Sequence, residues 1–411
     1  MKKTLIAVAA AAALTATSAF AEITFGAWLR VITGVGSNGE DVVMGTTNSW
    51  GGVRPARLNA AGTSEDGKAG FKLDFYFEND EIWGHDKNIR IGDNGYLWVK
   101  PIDQIQLSIG KFDGGETGFR GDFCYGSWNW LRPYNWIVED EGLTFRGSHK
   151  DGLMARITPI DNLVVLVQLP VMNAKWGGNN AGYVAKTETE DAKNTAADVF
   201  KNAAYMASYT VEGVGTLKAG FFGADAETTV DGKKYNRTGT INVAFDLNAI
   251  ENLYVTVGAR FGIADKEYDA WGDKMKFTAG ASYQVSDAMK FSVSGGYVKY
   301  QDKCIGKDGD KKDNAFGIGA GVDYVIMDGL TLNADVRYKN IGYGKKGDDG
   351  SVSFLAGVVK SVGGNASLQA GFQGSTNGCG LVQPIFTDTG IPAVEKDDFV
   401  WAIPVGLSVW F

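Results

Sequence analysis

Along most of the chain, apolar residues recur at every second position. The last segment shows it best. From Phe399 to Phe411 the odd positions read Phe, Trp, Ile, Val, Leu, Val, Phe, while the even ones mix Val, Ala, Pro, Gly, Ser and Trp. Period two places successive side chains on opposite faces of a strand. The same alternation puts Leu253, Val255, Val257, Ala259, Phe261 and Ile263 on one face, against Tyr254, Thr256, Gly258, Arg260 and Gly262 on the other. These segments run about 10 to 13 residues, whereas an ordinary strand has about 5–6. A tilted strand that crosses a membrane needs about 9–11. Aromatic residues at both ends of the apolar face suit the two membrane interfaces.

The connections alternate in length. Short ones include Lys100–Asp103, Thr158–Asn162, Glu212-Gly213, Asn248–Glu251 and Met327–Gly329. Long, polar, Gly-rich ones fall at 35–51, 79–93, 113–141, 170–202, 225–237, 264–273, 302–313, 342–350 and 375–398. Short turns on one side and long loops on the other predict an all-β transmembrane antiparallel barrel. The pattern gives about 18 strands, with 16 as the alternative; 52–60, 93–100 and 143–157 are the least regular, and the last is interrupted near Ser148–Asp151. Thr187 and Glu190 fit a capping box, which predicts a short helix inside 170–202.

Composition sets the compartment and excludes some functions. Met1-Lys2-Lys3, the apolar run Leu5–Leu14 and Ala19-Phe20-Ala21 read as a secretory signal peptide over 1–21, leaving 22–411 as one barrel domain. The 56 glycines are about twice the usual share. The net charge of −8 argues against a nucleic-acid partner, because phosphate binding needs clustered positive charge. Cys124, Cys304 and Cys379 are too few for a disulfide scaffold, and their pairing is open. His85 and His149 have no nucleophile motif beside them, so the chain does not read as an enzyme. Asp308, Asp310 and Asp313 lack the glycine and distal Glu of a calcium loop, so no metal and no cofactor is expected.

The signal peptide, the Gly-rich alternating strands and the terminal Phe411 together resemble Gram-negative outer-membrane porins. Ile23–Arg30 and Trp98–Ile105 are similar to segments of spirochaete outer-membrane barrels. The resemblance implies passive diffusion of small hydrophilic solutes and ions through a water-filled channel. It implies residence in outer-membrane lipid, Phe411 as the signal read by the barrel-assembly machinery, and a homotrimer.

Parity then assigns side chains to lipid or lumen. A charge facing lipid at midplane costs about 2–4 kcal/mol, so charged residues belong inside. Lumen candidates are Arg30, Arg57, Lys72, Arg146, Arg156, Lys218, Arg260, Lys276, Lys290, Arg337 and Lys339, with the acids Asp74, Glu78, Asp246, Asp323 and Asp335. Eleven cations against five acids predict a mildly cationic pore and a weak anion preference. Segment 113–141 is long and aromatic, with Tyr125, Trp128, Trp130, Tyr134 and Trp136 beside Asp113, Glu116, Arg120, Asp122 and Arg132. So much apolar surface favours burial. In porins the third long loop folds into the barrel and narrows it, and 113–141 is the third here. Two other readings stay open. One is a closed or narrow barrel serving as adhesin or structural protein. The other is a saccharide-selective channel, with Trp28, Tyr76, Phe222 and Tyr254 facing inward.

Overall fold

The computed structural model describes residues 22–37, 39, 41–47, 56–77, 89–112, 151–171, 195–230, 232–265, 273–300, 314–340, 350–376 and 399–411. Nineteen strand segments make up nearly all of it. They are β1 (Glu22–Ser37), β2 (Val42–Thr47), β3 (Ala56–Thr63), β4 (Ala69–Phe77), β5 (Ile89–Ile102), β6 (Ile105–Lys111), β7 (Gly152–Ile157), β8 (Leu163–Leu169), β9 (Ala204–Val211), β10 (Gly215–Val230), β11 (Lys233–Leu247), β12 (Leu253–Ala264), β13 (Asp273–Ser286), β14 (Met289–Tyr300), β15 (Ala315–Met327), β16 (Leu330–Lys339), β17 (Ser351–Ser361), β18 (Ala366–Ser375) and β19 (Val400–Trp410). One helix, α1 (Ala196–Lys201), precedes β9.

Every pairing between neighbours is antiparallel, and the sheet closes on itself. One edge of β1 meets β19 over ten pairs, from Trp28↔Trp410 to Ser37↔Trp401. Its other edge meets β3 over Glu22–Leu29 and β2 over Ile32–Ser37. So β2 and β3 are two halves of one barrel strand, and nineteen segments fill eighteen positions. Closure gives every wall strand two partners, which hydrocarbon demands because it offers backbone groups no water. The seam is pinned to the last residue: Phe411 N–H donates to Ala27 O at 2.8 Å, and Ala27 N–H to Phe411 O at 3.1 Å.

Two expected long connections are mostly strand. Within 35–51, β1 runs on to Ser37 and β2 begins at Val42, because the upper edge of β1 needs a partner. The strand expected over 52–60 therefore starts only at Ala56. Within 225–237, β10 and β11 extend as a hairpin turned at Gly232, whose φ is +74°. That part clears the barrel wall, so it needs no apolar alternation and its sequence looks like a loop. The helix described within 170–202 is α1. Its cap is Thr195, whose hydroxyl accepts from Asp198 N–H, while the Asp198 carboxylate accepts from Thr195 N–H at 2.9 Å. Thr187 and Glu190 lie outside the described residues.

The outer face carries the apolar parity. Phe25, Leu97, Leu217, Phe291, Ile318, Leu368 and Leu407 are all exposed there. Aromatic rings meet across neighbouring strands near the loop ends: Tyr205–Phe221, Phe261–Phe277, Phe316–Tyr338, Phe354–Phe372 and Phe372–Trp401, with centroids 5.8–6.5 Å apart. On the opposite side the turns are tight. Asn162 and Asn252 supply positive φ in matching frames, Pro159–Leu163 and Ala249–Leu253. No helix among the described residues is long and apolar enough to cross a membrane.

Candidate functional site: the inner wall of the barrel

Register places the described candidates together on the face away from lipid. Arg57 lies opposite Tyr76, Lys72 opposite Tyr96, Arg156 opposite Gln106, Arg260 opposite Lys276 and Arg337 opposite Ser353, all on the inward parity with Asp74. Lys218, Lys290, Lys339, Asp246, Asp323 and Asp335 share it. Arg30 has the same parity, opposite Ser408. Among the described side chains of the predicted set, nine cations therefore stand against four acids. Glu78, Arg146 and the whole of 113–141, with Asp113, Glu116, Arg120, Asp122, Tyr125, Trp128, Trp130, Arg132, Tyr134 and Trp136, lie outside the described residues.

Three of the wall acids share one arrangement. Each is held between a cation from one neighbouring strand and an uncharged donor from the other. Asp74 on β4 meets Arg57 Nη2 of β3 at 2.6 Å and the Asn94 amide of β5 at 2.8 Å. Asp246 on β11 meets Lys218 Nζ of β10 at 2.6 Å and Thr256 Oγ1 of β12 at 2.7 Å. Asp323 on β15 meets Lys290 Nζ of β14 at 3.6 Å and accepts from Asn333 Nδ2 of β16. Asp335 lies flat over Gly321, where a Cβ would collide with its carboxylate oxygen. The inward glycines Gly317, Gly319 and Gly321 of β15 give the neighbouring Asp335 and Arg337 room against the wall. The 2.6 Å contacts of Asp74 and Asp246 are short, charge-assisted and strong. They leave the wall with fixed carboxylates and a surplus of cations.

The wall is less polar than the alternation predicts. Phe112, Met154, Leu166, Ala204, Met206 and Ala244 form a buried apolar cluster, with Tyr96, Val164 and Phe222 packed against it. All sit on the inward parity of β5 to β11 or directly beyond it. Val298, Tyr300 and Ala315 form a second cluster on β14 and β15. Parity counting named only Phe222 among these residues, because it tracked charge. A signal was present: Leu163-Val-Val-Leu-Val167 is apolar at both parities. A strand covered on both faces reads as a continuous apolar run. Phe112 closes β6 beside Asp151, whose Oδ1 accepts its N–H at 3.3 Å, so the first cluster lies at the root of segment 113–150.

Among the described residues, the inward aromatics do not make a continuous track. Trp28, Tyr76, Phe222 and Tyr254 stand on β1, β4, β10 and β12. Tyr76 is only 1% exposed, and Phe222 belongs to the apolar cluster. Tyr96 and Trp98 on β5 were overlooked. The Trp98 ring lies over Gly70, where a Cβ would come within 2.5 Å of its Cζ2.

A closed antiparallel barrel with long loops at one end and a charged inner wall is the architecture of a membrane pore. Residues 7–342 match the family model of Gram-negative porins, and the chain belongs to that family. The fold agrees with that of a solved porin. The anion-selective porin from Comamonas acidovorans aligns with a TM-score of 0.52 at 14% identity, covering 95% of this chain and 99% of that one. The outer-membrane channel DcaP of Acinetobacter baumannii aligns at 0.49 and 11% identity, covering 95% and 97%. No curated protein sequence matches the chain. The protein is thus an outer-membrane diffusion channel.

Proposed function

We propose that the channel passes small hydrophilic solutes with a weak preference for anions, and that 113–141 narrows it. The observation that carries the preference is the inner wall: nine cations against four acids among the described lumen candidates, three of those acids already held by cations and donors. Rings and rows of fixed charge bias which ion enters. The relative from Comamonas acidovorans is itself described as anion-selective.

The constriction reading is supported by the buried apolar cluster at the root of 113–150. Lumen water would wet Phe112, Leu166 and Ala204, yet each is 0% exposed. Tyr125, Trp128, Trp130, Tyr134 and Trp136 supply matching apolar surface. Arg120 and Arg132 facing Asp113, Glu116 and Asp122 would set up a transverse field across the narrowed lumen. The protein reaches the outer membrane after cleavage behind Ala21, is folded there by the barrel-assembly machinery through Phe411, and assembles as a homotrimer in outer-membrane lipid.

Single-channel current of the refolded 22–411 protein in a planar bilayer tests the reading. Discrete steps and a reversal potential of anion sign in a KCl gradient are expected. A cation sign would overturn the preference, and an inserted barrel without steps would overturn the channel. Deleting 118–132 should enlarge the steps; unchanged steps would remove 113–141 as the constriction.

A further inference from the structure

By formal count, Asp74 merely cancels one positive charge of the wall. Its surroundings give it another role. Arg57 Nη2 approaches Asp74 Oδ2 at 2.6 Å. The same oxygen accepts from Asn94 N–H at 3.1 Å and from the Asn94 side-chain amide at 2.8 Å. Three donors thus converge on one oxygen of a carboxylate that is 0% exposed. The Arg57 guanidinium also lies over the Tyr76 ring, 5.5 Å from its centroid. Tyr76 can lie there because residue 92 is glycine: a Cβ at Gly92 would sit 2.7 Å from Tyr76 Cζ and 2.9 Å from Asp74 Cβ. One edge of the guanidinium is therefore taken by Asp74 and one face by Tyr76. The Arg57 side chain still keeps 22% of its surface open.

We propose that Asp74, Asn94 and Tyr76 are positioning residues that hold the Arg57 guanidinium against the inner wall, where its fixed charge helps set the ion preference of the channel. This rests on the lumen being the ion path. An arginine on a flexible stem would otherwise sweep the lumen, blocking flow intermittently and spreading its charge. The acid that looks like a subtraction is the anchor that makes the cation effective.

The proposal and simple charge counting predict opposite results for one substitution. Asp74→Asn removes a negative charge, so counting predicts stronger anion preference. Positioning predicts a reversal potential closer to zero, with added open-channel noise. Tyr76→Leu leaves formal charge unchanged and keeps the proposal testable where Asp74→Asn does not fold. A cation–π contact at a partly exposed site holds a population ratio of about two- to fivefold, so excess open-channel noise should rise by about that factor. Tyr76→Leu traces that superimpose on wild type overturn the proposal. So does an Asp74→Asn channel that gains anion preference without noise. If the wild-type barrel shows no steps, the porin reading fails separately, and positioning is read by NMR instead. Rotation of the Arg57 guanidinium about Cζ–Nε should be slow in wild type and faster in Tyr76→Leu; equal rates overturn the proposal.

Discussion

Asp246 shows how a charge survives in a membrane wall. The pair it makes with Lys218 is largely buried, with side chains 13% and 7% exposed. Desolvating such a pair costs nearly what the attraction returns, but removing one partner strands the other and costs about 3–5 kcal/mol. Asp246→Ala should therefore lower the temperature at which the folded, fast-migrating band disappears on a heated gel. Asp246→Leu combined with Lys218→Met should recover most of the loss. Both residues were legible from parity alone, because charge on a membrane strand has only one tolerable side. Their pairing was not, since register between neighbouring strands leaves no mark in a single chain. The role of Gly321 was equally hidden. Gly321→Val should displace Asp335 and lower the same transition, whereas a Val at Gly213, where nothing lies within 4 Å of a Cβ, meets only the strain of its φ of +72°.

Strands were legible where they cross lipid and obscure where they leave it. β12, β16 and β19 follow the predicted alternation, because one face must be apolar throughout. The hairpin end of β10 and β11 stands beyond that constraint, so backbone pairing alone determines it. Of the barrel strand that β2 and β3 share, only the β3 half was legible, as the strand expected over 52–60, because β2 falls in the segment read as the connection 35–51. Tight turns carry a different signal, the local hydrogen bond. Asp66 accepts from the Ser64 hydroxyl at 2.6 Å and from Lys68 N–H at 3.0 Å, which lowers its pKa. Asp103 is lowered chiefly by its 2.7 Å bond to Lys68 Nζ, whose own pKa is raised by the same contact. Asp103, depressed in the fold, contributes stability above the unfolded carboxylate range and loses it as pH falls through its lowered pKa. Lys68, raised, contributes below its unfolded value and loses it as pH rises through the raised one. All three side chains are exposed, so solvent screens the effect on global stability. Carboxyl NMR titration should nonetheless separate the causes. Lys68→Gln returns Asp103 toward 3.8 and leaves Asp66 low, since Lys68 N–H and Ser64 remain. An Asp66 that moved equally would refute the assignment.

At the scale of the whole molecule, the chain is acidic while its inner wall is basic. The −8 of the full sequence and the cationic lumen are reconciled by the loops and turns, where Glu65, Asp161, Glu212, Glu251, Asp287 and Asp328 are exposed at the short-turn end. An anion entering from the short-turn end therefore meets a repelling rim before an attracting wall. Both fields act through water and are screened by salt. The screening length is about 10 Å at 0.1 M and about 3 Å at 1 M, so wall charge reaches much less far into the aqueous channel of an 18-strand barrel at high salt. Ion preference should accordingly be salt-dependent: clear anion sign at a fixed KCl ratio near 0.1 M, fading toward zero near 1 M. Steric exclusion does not share that dependence. The size of neutral polymer that just fails to reduce the step should be the same at both salts. If the anion preference persisted undiminished at 1 M, it would come from charges within contact distance of the passing ion, which points to the narrowest part of the channel. If it vanished even at 0.1 M, the acidic rim would outweigh the wall, and neutralising the short-turn acids should restore it.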